Sequence, residues 1–109
     1  MSLTHEQIAA MTCVEVNEAI YWRIATLYCG DEPPNVSYKI YDYCHEWSHA
    51  GRLLEMMAGD KPIIQYTDDG WFCVILGKPT PKTTIGVLSP TAPEAIARCW
   101  LEWWEVTHD

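Results

Sequence analysis

Basic residues are scarce in this chain. Seven Lys and Arg stand against fifteen Asp and Glu, a formal charge of −8. So acidic a surface repels phosphate backbones, which argues against direct nucleic-acid binding. The sharper reading of the charge is a protein that docks on a basic groove normally holding nucleic acid; the plainer one is that the charge maintains solubility. No apolar run approaches the length of a membrane span, and the opening Met1-Ser2-Leu3-Thr4-His5-Glu6 lacks the basic-then-apolar pattern of a signal peptide, so a cytoplasmic protein without a membrane partner is expected. Paired cysteine spacings are missing too. Cys13, Cys29, Cys44, Cys73 and Cys99 are an odd set, three of them inside apolar stretches, and read as buried reduced thiols rather than a disulfide framework. A Gly-rich phosphate loop, Gly-x-Ser-x-Gly and His-Glu-x-x-His are all absent, so neither an enzyme nor a cofactor is expected.

What is present is enough for one folded domain spanning residues 1–109. Apolar residues make up 49% of the chain, which places it among globular proteins and lets it bury a core without disulfides or metal. The organising stretch is Pro62–Leu76. Two β-rich runs flank Asp68-Asp69-Gly70, and Asp-Gly between such runs signals a hairpin because both residues tolerate the positive φ of primed turns. The second run is apolar on both sides, with Phe72, Val74 and Leu76 on one and Trp71, Cys73 and Ile75 on the other. It is expected to be an inner strand covered on both faces.

Along the chain, Thr4 with Gln7 and Thr12 with Glu15 have capping-box spacing, the first ahead of a segment too short to be stable without packing. Cys13, Val16, Ile20, Ile24 and Leu27 recur at helical intervals, Val14, Tyr21, Ala25 and Tyr28 form a weaker second line, and Gly30 supplies a stop. After the Pro33-Pro34 break, Val36–Tyr41 is either an edge strand or an extended arm. Ser48 is the expected cap of a second helix that buries Ala50, Leu53, Leu54 and Met57 and ends at Gly59. Residues 83–88 read as a third strand in an antiparallel meander. Thr91 and Glu94 then form a capping box, with Pro93 in the first turn. The last helix carries a broad stripe of Ala92, Ala95, Ile96, Cys99, Trp100, Trp103 and Val106, and a second line of Ala97, Leu101 and Trp104. Two apolar sides mean a helix between layers or one that meets a partner; in so short a chain the partner is favoured. The expected fold is α+β, a small three-stranded antiparallel sheet with helices packed on it in the order α-α-β-β-β-α.

In that order, Glu15-Val16-Asn17, Asp42-Tyr43-Cys44 before Trp47-Ser48-His49-Ala50, the hairpin with Trp71, and Pro93-Glu94-Ala95-Ile96 opening an apolar helix resemble the phage "ABA sandwich" proteins. These are short phage and prophage proteins, mostly of unassigned function. The resemblance covers roughly residues 13–106. It implies an α/β/α sandwich-like arrangement, helices on both faces of a small antiparallel sheet, in a protein of the bacterial host cytoplasm. It brings no accepted catalytic residues. Gly51-Arg52-Leu53 stands where the family commonly has a Pro-containing helix start.

Three constellations were weighed for chemistry. Cys44, His45 and His49, with Asp42, are the best metal-ligand set, although no Cys-x-x-Cys accompanies them and cap or packing roles explain them. Cys44 beside His45 resembles a nucleophile and base, but adjacent side chains do not face each other. Asp68 and Asp69 are explained by turn chemistry. Of six tryptophans, Trp71, Trp100 and Trp103 are expected to fill the core, and Trp22 and Trp104 to lie at the surface. The residues expected to meet a protein partner are Trp22, Asp31, Glu32, Asp42, Glu46, Asp68, Asp69, Leu101 and Trp104. The partner is a host or phage protein complex, the narrower form being an anti-CRISPR-like inhibitor of a host defence complex. A homodimer through Ala97, Leu101 and Trp104 and a metal-binding enzyme or sensor are the alternatives.

Overall fold

Both N-terminal capping boxes form in the computed structural model, which describes residues 3–29, 42–77 and 83–107. The Thr4 hydroxyl accepts from the Gln7 N–H at 3.1 Å while the Gln7 side chain accepts from the Thr4 N–H at 2.8 Å, starting α1 (His5–Ala10). Thr12 and Glu15 repeat the exchange at 3.2 and 2.9 Å, starting α2 (Cys13–Cys29). The segment expected to be only a lead-in is thus a helix of its own, held by burial of Ile8 at 1% exposure. On α2 both lines are buried in part: Val16 and Ile20 of the first are at 0% and Tyr21 and Ala25 of the second at 5%, whereas Leu27 of the first and Val14 of the second are exposed.

Helix α3 (Trp47–Met57) begins earlier than Ser48 would allow. Its N-cap is Glu46, whose carbonyl accepts from His49 and Ala50 and whose side chain makes no cap bond. Gly59 does not end it either. The chain tightens into a 3₁₀ turn at Ala58–Asp60 and reverses at Lys61, which takes the left-handed conformation (φ 55°, ψ 61°). The Trp103 indole N–H donates to Asp60 Oδ2 at 2.7 Å and pins this turn.

Strands β1 (Ile63–Thr67), β2 (Gly70–Leu76) and β3 (Thr84–Ser89) form an antiparallel sheet in the order β1-β2-β3, with Thr67 opposite Gly70 and Trp71 opposite Ser89. The hairpin is where the sequence places it, but its turn is not a primed one. Among the non-glycine residues described only Lys61 has positive φ, so Asp68 and Asp69 keep ordinary backbone and Gly70 alone takes the special angle, φ 133°. A Cβ there would lie 2.6 Å from the Ser89 carbonyl oxygen. The Asp69 N–H donates to the Thr67 hydroxyl, which in turn donates to the Gly70 carbonyl.

The last helix, α4 (Ala92–Thr107), sets the layering. Every residue from Ala95 to Leu101 is buried, nearly two full turns, so no side of it is free. It packs on all three strands, and on α1, α2 and α3. The chain is therefore α+β in the order α-α-α-β-β-β-α, with helices packed on the sheet, and its layers run sheet, then α4, then the other helices. The second apolar line of α4 faces those helices, not a partner: Ala97 and Leu101 are fully buried and Trp104 stacks on Trp100 at 5.0 Å and 29°. Ala97 and Leu101, expected on a homodimer seam, are thus spent on packing within the chain. Val106, expected in the core, is 37% exposed. Glu94 makes no capping box with Thr91, because its carboxylate is taken by Arg98 Nε at 3.2 Å and the Cys13 thiol at 3.4 Å.

Coverage of β2 differs from expectation. Cys73 and Ile75 are fully buried against α4, with Ile85 and Val87 of β3 beside them. On the opposite face Ile63, Leu76 and Leu88 are 47%, 63% and 49% exposed, and among the described residues only α4 packs broadly on the sheet, from one side. The segment Val36–Tyr41, with Asp31 and Glu32, lies outside the described residues.

Two stability measurements follow. Leu101→Ala removes the buried Cγ and both Cδ atoms from an enclosed site and is expected to lower the unfolding free energy by about 2–5 kcal/mol, as leucine truncations in tight cores do. A surface residue meeting only an absent partner would change it by less than about 0.5 kcal/mol. Lys61→Gly relieves the strain of a left-handed side chain and is expected to raise the unfolding free energy by about 1 kcal/mol, read as a higher denaturant midpoint at unchanged slope.

Candidate functional site

The residues singled out for metal chemistry do come together, but as a hydrogen-bonded fastening. Asn17 on α2 donates from Nδ2 to Asp42 Oδ1 at 3.0 Å and accepts from the Cys44 N–H at 3.1 Å. One amide therefore holds both ends of the Asp42-Tyr43-Cys44 turn. His45 Nδ1 lies 3.0 Å from both Asp42 oxygens, and His49 Nδ1 accepts from the Asp42 N–H at 2.9 Å. Cys44 turns the other way, fully buried, its thiol towards the Cys13 carbonyl at 3.8 Å. Among the described residues no group of three or more His, Cys, Asp or Glu side chains is arranged to hold a metal ion. Burial pushes the Cys44 thiol well above its ordinary range, and a hydrogen bond with Cys73, together with burial, does the same for Cys99; neither is poised as a thiolate nucleophile. Cys13, Cys44, Cys73 and Cys99 are all free.

A second polar run fastens α1 and α2 to α4. Arg98, only 9% exposed, donates from Nη1 to the Ile8 carbonyl at 2.6 Å and from Nε to Glu94. His5 Nδ1 meets Glu102 Oε1 at 2.8 Å, and Arg23 meets Glu105 Oε1 at 2.8 Å. Hydrogen bonding to Glu102 raises the His5 pKa above its ordinary value, while burial raises that of the Glu102 carboxyl. Glu94, Arg98 and Glu102 are spaced i, i+4, i+8, which put them on one face of α4. That spacing was open to view in the sequence and was passed over for the apolar stripes.

The described residues expected to meet a partner lie on different elements and differ in exposure. Trp22 is 41% exposed, edge-on to Tyr21 at 5.5 Å. Glu46 is exposed at the start of α3, and Asp68 and Asp69 are exposed in the hairpin turn. Asp42 is half-buried and tied to Asn17 and His45. Leu101 is buried and Trp104 partly so. Trp47, 56% exposed, is a surface tryptophan that the sequence reading did not single out. The larger omission is the outer sheet face. There Ile63, Leu76 and Leu88 surround the half-buried Phe72 and Val74, with Gln65 and Thr84 as its polar members and no charged side chain among the three strands' outward positions. Its signal, two-sided apolar alternation in β2, was read as a second covering layer.

The Asp42 carboxyl is pulled both ways. Burial alone raises its pKa, but the hydrogen bonds from Asn17 and His45 win and hold it below the usual 3.8. A carboxyl with a depressed native pKa adds stability above its unfolded value, and loses it as pH falls through the folded one. Asn17→Ala is therefore expected to bring the Asp42 titration, followed by carboxyl NMR shifts, back up towards 3.8, and to flatten the acid limb of the stability curve.

No helix among the described residues is long and apolar enough to cross a membrane. Set beside known families, curated proteins and solved structures, the chain matches none of them, so its function is read from its own geometry.

Proposed function

We propose that this chain is a small non-enzymatic accessory protein that acts by binding another protein, and that it docks through the outer face of its sheet. One observation carries the reading: three large apolar side chains, Ile63, Leu76 and Leu88, stand about half exposed or more on a charge-free face. Exposed apolar groups gathered on one face mark interaction surfaces, whereas scattered ones do not. The acid pair Asp68 and Asp69 sits at the hairpin end of the same sheet, and the chain carries −8 overall. An apolar face with acids at its hairpin end, on a chain of charge −8, fits a partner that sets Lys and Arg beside its own apolar patch, and the long-range field speeds that encounter.

The narrower form is an inhibitor of a bacterial host's defence complex, anti-CRISPR-like, whose acids occlude a surface built for nucleic acid. Supporting it are the resemblance to short phage proteins, the small size and the charge. Affinity purification from a phage-infected or prophage-bearing host, alongside plaquing on a defended host, tests both forms. Ile63→Lys with Leu76→Lys is expected to leave the fold intact and weaken capture of the partner by about tenfold or more, since each change removes apolar burial and adds charge of the wrong sign. Equal recovery by wild type and the double variant would remove this face from the reading. No recovered partner and unchanged plaquing would remove the reading itself.

A further inference from the structure

Strand β3 is an edge. The order β1-β2-β3 leaves one side of it without a strand neighbour among the described residues. The Gly77 N–H donates to the Thr83 carbonyl at 2.8 Å, which fixes the phase of the ladder. Bonded and non-bonded pairs alternate in an antiparallel ladder. Ile85, Val87 and Ser89 therefore turn their backbone groups to β2, and Thr84, Gly86 and Leu88 turn theirs outward.

Beside that edge runs a cleft of about 360 Å³, walled by Gly86 and Leu88 on one side and His5 and Ala9 of α1 on the other. Helix α4, which packs on both, closes the third side with Glu94, Arg98 and Glu102. Ser89 also lines the cleft. It is 4% exposed, and its hydroxyl has no hydrogen-bond partner among the described residues. Buried hydroxyls rarely stay unpaired, so this one points to a missing ligand group. Gly86 sits mid-edge, and the space its Cβ would take is filled from the outer face by the Phe72 ring, 2.9 Å away, which fixes that ring over the β3 edge.

We propose that the β3 edge is a strand-addition site for an extended segment of a partner protein whose side chains alternate basic and apolar. This deepens the protein-binding reading and rests on it. A strand paired to Thr84, Gly86 and Leu88 sends alternate side chains to the two faces of the sheet. Those on the helix side enter a cleft where Arg98 is engaged by Glu94 and the Ile8 carbonyl and Glu102 by His5, so that with His5 neutral the two carboxylates outnumber the one guanidinium. Those on the other side extend the apolar face beside Leu88 and Phe72. That face spans three strands about 4.8 Å apart and five residues of about 3.4 Å, roughly 250 Å². A stable interface takes about 800 Å² per partner, so apolar contact there needs the backbone pairing to supplement it.

The probe is the peptide Val-Lys-Val-Lys-Val-Lys-Val with blocked ends, titrated into ¹⁵N-labelled protein, with the Glu-for-Lys peptide as its counterpart. The Lys peptide is expected to give saturable shifts and slowed exchange at the Thr84, Gly86 and Leu88 amides, and the Glu peptide to bind about tenfold more weakly. Leu88→Pro removes an outward N–H but no β2–β3 bond, and is expected to weaken binding about tenfold. Retained protection of the Ile85 and Val87 amides certifies its fold. Should that variant not fold, Ala9→Phe, which fills the cleft from an exposed helix position, is expected to give the same loss. Shifts confined to other elements, or unchanged binding by the folded variant, would overturn the edge site. If a host partner is still captured by the wild type and lost on changing Ile63 and Leu76, the docking reading stands and only the edge site falls.

Discussion

Burial of α4 on all sides is the constraint from which the rest of this fold follows. A 109-residue chain has little interior to distribute, and here the interior is one helix. Trp100, Ile96, Cys99 and Leu101 are fully enclosed, so the sheet must lie against one side of α4 and the three other helices must share the remainder. That arrangement spends the helices on α4 and leaves none among the described residues to cover the sheet's second face. The exposed apolar face is thus a geometric consequence of where the last helix sits, and the proposed docking needs no dedicated element to present it.

The polar contacts between layers are few and placed where each helix meets α4. Arg98 enters the interior with both a carboxylate and a carbonyl to receive it, as a buried guanidinium requires if desolvation is not to dominate. His5 with Glu102 lies nearer solvent and contributes correspondingly less, whereas Arg23 with Glu105 is about as enclosed as Arg98 with Glu94. Trp103 and Trp100 show the two fates of a buried indole. The first satisfies its N–H on Asp60; the second is fully enclosed with its N–H unpaired among the described residues, a cost set against the packing of the largest side chain in the core.

Local chemistry was legible in the sequence and layering was not. The two N-terminal capping boxes, the hairpin position and the three-strand meander depend on residues within a few positions of one another, and they stand as read. Ser48 and Gly59 were plausible caps displaced by tertiary demands: Asp42 and His49 draw the start of α3 back to Trp47, and Asp60 must reach Trp103, which moves the reversal to Lys61. Leu101 was misread for a deeper reason. Helical periodicity reports that a side is apolar, and an inner layer and an interface satisfy it equally. The same ambiguity ran in the opposite direction for β2, whose two apolar sides were assigned a second layer of helix.

Those two misreadings exchange the interaction surface. The sequence reading put part of the partner surface on α4 at Leu101 and Trp104, with Trp22 and the acids; the structure buries Leu101, leaves Trp104 partly exposed, and exposes Ile63, Leu76 and Leu88. Total apolar content was judged well and its allocation was not, because the chain has more apolar surface than its own layers can cover. Of the acids expected around the site, Asp68 and Asp69 move with the surface, since the hairpin turn belongs to the same sheet, whereas Asp42 is drawn into the Asn17 fastening and serves the fold. Acids and exposed apolar side chains therefore share one sheet, Asp68 and Asp69 at its hairpin end and Ile63 and Leu76 at the opposite one, and the partner this favours under the proposed reading offers basic and apolar groups along an extended segment that completes the β3 edge.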